Sequence, residues 1–93
     1  MSKIDEVFKA LSDKTRRDIL ELLKKQDLTA GEIAEHFNIT KPSISHHLKL
    51  LKHCNLIDSR REGQQIIYSI NMSVMEDIFN TIFNIFKRGE SNE

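Results

Sequence analysis

Apolar residues recur at a helical spacing from the start of the chain. Ile4, Val7, Phe8 and Leu11 fall at i, i+3, i+4 and i+7, which puts them on one face and predicts a helix over about 4–11. Ser12 and Asp13 offer a stop and a new N-cap. A second helix is expected over about 13–26, with Ile19, Leu22 and Leu23 inward and Lys24 and Lys25 at its negative pole. Thr29-Ala30-Gly31-Glu32 reads as a capping box, a hydroxyl at the N-cap and a carboxylate three residues on. It opens a third helix over about 29–37, ended by Asn38, which tolerates a left-handed backbone. Thr40 caps a fourth helix over about 41–53, with Pro42 in the first turn, where its missing N–H costs nothing. The short link through residues 37–40 gives these two helices the spacing of a helix-turn-helix.

Past Asn55 the pattern changes from helical to alternating. Strands are expected over about 56–61 and 65–71, the second with Ile66, Tyr68 and Ile70 in alternation. Arg61-Glu62-Gly63-Gln64 forms the tip, where Gly63 supplies a positive φ. Ser73-Val74-Met75-Glu76 is a second capping box and opens a last helix over about 73–88, and 89–93 read as a flexible polar tail. The expectation is one domain over 1–93, mostly α with a small β-hairpin, in the order α-α-α-α-β-β-α of a winged helix-turn-helix.

Composition changes this picture little: 39% hydrophobic and 30% charged residues are ordinary for a globular domain. The N-terminal segment lacks the apolar core of a signal peptide, and no stretch approaches the roughly 20 apolar residues of a membrane span. A cytoplasmic location is expected. The lone cysteine, Cys54, excludes an internal disulfide and reads as a small apolar filler, with a redox switch that loosens DNA binding as the competing reading.

Charge changes the picture more. The formal net charge is zero, but 41–61 hold Lys41, Lys49, Lys52, Arg60 and Arg61 against Asp58 alone. On the fourth helix, Ile44, Leu48 and Leu51 share a narrow inward arc that His47 flanks. The outward side carries Pro42, Ser43, Ser45, His46, Lys49 and His53 without one carboxylate. A helix that enters the major groove cannot turn a carboxylate to the DNA unless it reads cytosine. Ser43, Ser45, His46 and His47 suit base edges, and Lys41 and Lys49 suit phosphates. Arg60 and Arg61 before the hairpin tip, with Gln64 and Gln65 after it, add contacts to a minor groove or its flanking phosphates. The partner expected is double-stranded DNA. Adjacent His46 and His47 point about 100° apart and cannot converge on one substrate, so no enzyme is expected.

The run 43–52, followed by Leu56-Ile57, by Arg60-Arg61-Glu62-Gly63-Gln64 and by Tyr68, resembles the ArsR/SmtB repressors. Residues 8–20 resemble that family's entry into the second helix. The family usually has Pro where Lys14 stands and Ala-Gly where Cys54-Asn55 stand. Within the family, 30–39 and 41–47 resemble the metal-free SdpR-like autorepressors of toxin-immunity operons. The resemblance implies a repressor that binds a palindromic operator as a homodimer, regulates its own operon and is withdrawn by a membrane-bound immunity protein. One family metal site needs paired cysteines in the third helix, and 28–37 have none; another needs histidine on the last helix, and 73–88 have none. No metal, cofactor or small-molecule ligand is expected.

The last helix is more apolar than a small domain requires, which points to a dimer. Val74, Met75, Ile78, Phe79, Ile82, Phe83, Ile85 and Phe86 cover about half its circumference, where a surface helix needs a stripe of roughly 100°. The expected interface is Ile4, Val7 and Phe8 with Met75, Ile78, Phe79, Ile82, Phe83 and Phe86. The competing reading is a winged-helix protein-interaction module that does not bind DNA.

Overall fold

The computed structural model describes residues 3–90. Five helices and three short strands follow one another: α1 (Lys3–Leu11), α2 (Lys14–Lys25), β1 (Leu28–Thr29), α3 (Ala30–Phe37), α4 (Lys41–His53), β2 (Ile57–Glu62), β3 (Gln65–Ile70) and α5 (Met72–Glu90). Side-chain caps set several of these limits. Asp13 accepts from the Arg16 backbone N–H and starts α2. Thr29 and Glu32 close a reciprocal capping box at α3. Thr40 caps α4, and Pro42 lies in its first turn. Asn38 (φ 55°) and Asn55 (φ 62°) take the left-handed turns that end α3 and follow α4, and Gly63 (φ 64°) turns the hairpin.

Three differences from the expectations have local causes. The strand β1 has no signal in the sequence: two residues carry no periodicity, and Leu28 and Thr29 become a strand only by pairing with Tyr68 and Ile67. The cap of the last helix is Asn71, not Ser73: the Asn71 side chain accepts from the Val74 N–H at 3.1 Å, so α5 begins at Met72. Gly89 and Glu90 continue that helix instead of opening a tail, and 91–93 lie outside the described residues.

The antiparallel sheet has the order β1-β3-β2 and packs against α2, α3 and α4. Ile19, Leu23, Ile33, Ile44, Leu48, Leu51, Leu56, Ile57 and Val7 form the fully buried centre. At roughly 1.5–3 kcal/mol for each large apolar side chain buried, this centre is what holds α3 and α4 in place. Cys54 joins it, 4% exposed, with its Sγ 3.5 Å from the Glu6 carbonyl oxygen. Burial raises its thiol above the ordinary cysteine pKa, and the Glu6 charge adds to that.

Candidate nucleic-acid interface

Helix α4 divides as its 3.6-residue period requires. Ile44, Leu48 and Leu51 are buried, and Lys41, Pro42, Ser43, Ser45, His46 and Lys49 are exposed on the other side. A groove between this face and the hairpin is lined by Thr29, Ala30, Gly31, Lys41, Ser45, Gln64, Gln65, Ile66 and Tyr68. The hairpin thus stands beside α4 as a wing, and Lys41, Ser45, Gln64 and Gln65 meet in one concavity. Thr29, Ala30, Gly31, Ile66 and Tyr68 also line it, although the sequence reading gave them no role in DNA binding. Their membership depends on β1 laying the start of α3 against β3.

His47 does not join this face. Its ring is half-buried toward α2, with Nδ1 3.3 Å from the Arg16 Nη1 and 3.9 Å from the Asp13 carboxylate. A guanidinium only donates, so Nδ1 accepts in this contact. Arg16 also donates to the Ala10 and Lys9 carbonyls, and so ties the end of α1 to α4. The Arg16 backbone N–H is the main cause that holds the Asp13 carboxyl below the usual aspartate range.

The wing arginines differ too. Arg60 is spent on two carboxylates, Glu62 at 2.7 Å and Asp27 at 2.8 Å, which raise its pKa above the ordinary arginine value. Among the described residues, Arg61 donates only to the Gly63 carbonyl, at 3.2 Å.

The residues expected at a dimer contact also separate. Val7 is 1% exposed inside its own protomer and faces α5 across a cleft shared with Ile4, Val74 and Ile78. Met75 and Ile78 pack against the same core, and Ile82 is half-buried. Phe8, Phe79, Phe83 and Phe86 are exposed, as are Met72 and Ile85. Among the described residues, no three His, Cys, Asp or Glu side chains gather as a metal site.

Residues 13–59 match the family described as "Bacterial regulatory protein, arsR family". Over 89 residues the chain is 54% identical to the transcriptional repressor SdpR of Bacillus subtilis, covering 96% of this chain and 99% of that protein. An ArsR-like transcriptional regulator from Rhodococcus sp. RHA1 superposes with a TM-score of 0.88 at 30% identity, over 95% of this chain and 83% of that one. The homodimeric winged helix-turn-helix DNA-binding domain of a possible ArsR-family regulator from Mycobacterium bovis superposes with a TM-score of 0.76 at 26% identity, over 98% of this chain and 85% of that one. The fold is a winged helix-turn-helix, and the chain belongs to the ArsR family of bacterial regulatory proteins.

Proposed function

We propose that this protein is a cytoplasmic transcriptional repressor that binds a palindromic operator as a homodimer. The observation that carries the reading is the outward face of α4, exposed, polar and free of carboxylate, set beside a wing. Ser43, Ser45 and His46 would read base edges, with Pro42 packed among them, and Lys41 and Lys49 would hold phosphates. Gln64, Gln65 and the wing would contact the flanking backbone. His47 is left out of this set because Arg16 holds it inward. No catalytic role is proposed.

The dimer rests on the phenylalanines of α1 and α5, since apolar surface of this extent rarely faces water on a monomer. A two-fold pair of α4 helices would reach successive major grooves about 34–36 Å apart. The 54% identity to a named repressor and the homodimeric state of a structural neighbour support the same reading. Regulation of its own operon, and release by a membrane-bound immunity protein, complete the proposal and rest on the resemblance to SdpR-like repressors. Among the described residues no helix is long and apolar enough to cross a membrane.

The test is a mobility-shift titration of the intact protein against the DNA upstream of its own gene. The proposal expects a saturable shift that unrelated competitor DNA does not remove. Binding no tighter than to unrelated DNA would contradict it.

A further inference from the structure

Strand pleating sends alternate side chains to opposite faces of the sheet, and in the wing it separates two neighbouring arginines. Ile57, Ser59 and Arg61 share one face of β2. Ile57 is buried, and Ser59 accepts from Lys52 of α4 at 2.6 Å, so this is the side turned toward the helices. Arg61 stands opposite Ile66, which lines the groove beside α4. Asp58, Arg60 and Glu62 share the other face. Arg60 stands opposite Ile67, which in turn pairs with Thr29 of β1, so its guanidinium spans the sheet to reach Asp27 just before β1.

The two faces differ in charge. A phosphate that approached Arg60 would meet the carboxylates of Asp27 and Glu62 bound to its guanidinium, with Asp58 on the same face of β2. To accept that phosphate, Arg60 would have to leave two charge-assisted hydrogen bonds and expose Asp27 and Glu62 to the DNA. Among the described residues no carboxylate is ion-paired with Arg61.

We infer that the two arginines divide the work of the wing: Arg61 is its phosphate contact, and Arg60 is a positioning residue that braces the hairpin against the segment before β1. This rests on the DNA-binding reading above and names the part of the wing that faces the duplex.

The experiment measures how affinity depends on salt, because each phosphate contact contributes about 0.9 to the slope of log K against log salt. The probe is the tightest duplex recovered by in vitro selection with the intact protein. With one wing per subunit of a dimer, Arg61→Ala is expected to lower the slope by about 1.8. Arg60→Gln is expected to weaken binding while it leaves the slope near the wild-type value, an outcome that loss of stability alone does not distinguish from loss of a contact but the slope does. The paired substitution Asp27→Asn with Glu62→Gln keeps Arg60 but removes both of its brace partners; because Arg60 lies on the face turned away from the duplex, binding is expected to weaken with the slope near the wild-type value, and this variant serves equally if Arg60→Gln fails to fold. A slope that falls with Arg60→Gln as much as with Arg61→Ala overturns the inference. So does a slope that Arg61→Ala leaves unchanged. A wild-type protein that selects no duplex overturns the DNA-binding reading itself, and is seen before any substitution is made.

Discussion

The body formed by α1–α4 and the sheet, and the last helix α5, treat apolar side chains in opposite ways. In the body, Ile19, Ile33, Ile44, Leu51 and Leu56 lose all contact with solvent. On α5, Phe79 stays 69% exposed and Phe86 70%. None of the chain's five phenylalanines lies in the buried core. The aliphatic residues suffice to fix α4 against α2 and the sheet, and the large aromatic surface is held in reserve. On the proposed reading, the body presents the recognition surface and α5 joins two copies of it.

A core substitution should break the body side of this comparison with the largest effect on the fold. Leu48→Ala empties a fully buried site beneath the α4 face and is expected to cost about 2–5 kcal/mol, a large part of a small domain's stability. Urea denaturation followed by circular dichroism measures it. A loss well under 1 kcal/mol would mean the α4 inner face is not packed as described.

The α5 side should respond differently. Phe79→Glu places charge on an exposed residue of one protomer, so the body should stay folded while the dimer is lost, because an unpaired carboxylate is costly in a desolvated contact. Sedimentation should show monomers with native circular dichroism. Operator binding should fall by about a thousandfold, the usual minimum gap between specific and non-specific binding. A folded dimer that still binds tightly would place the interface elsewhere.

Smaller effects sharpen the comparison inside the body. Thr29→Ala removes one half of the α3 capping box and is expected to cost about 1 kcal/mol in the same denaturation assay. Cys54 is buried with a raised thiol pKa, so alkylation by iodoacetamide should be slow in the native protein and fast in urea; rapid native labelling would show that the α1–α4 contact opens. The Asp13 cap gives the smallest change. Its folded pKa is depressed, chiefly by the Arg16 N–H, so its contribution is present above the unfolded-state pKa and is lost as pH falls through the lower folded value. Asp13→Asn should flatten the acid limb of the stability curve over that window, and an unchanged limb would mean the cap does not hold in solution.

The parts of the fold legible in the sequence are those with local causes. The Thr29-to-Glu32 box, the left-handed turn at Asn38 and the turn at Gly63 each depend on a few neighbouring residues, and the structure places them where the pattern pointed. What was not legible depends on distant partners. Leu28 and Thr29 are a strand only because β3 arrives beside them. His47 flanks the inner arc of α4 in any helical projection, and it is Arg16, thirty-one residues away, that draws its ring inward. Arg60 and Arg61 look alike as neighbours; Asp27, thirty-three residues from Arg60, makes them different. The cap at Asn71 competes with an equally suitable Ser73, and the exit from β3 decides between them, with the Asn71 N–H bonded to the Leu56 carbonyl.

The central claim is that α5 joins two copies of α4 on one operator, and hydroxyl-radical footprinting of the intact protein on its selected duplex tests it most directly. The account predicts two protected half-sites related by a dyad, centred about 34–36 Å apart on one face of the DNA, and their joint loss with Phe79→Glu. A single protected half-site without symmetry, or a two-fold footprint that survives Phe79→Glu unchanged, would contradict it.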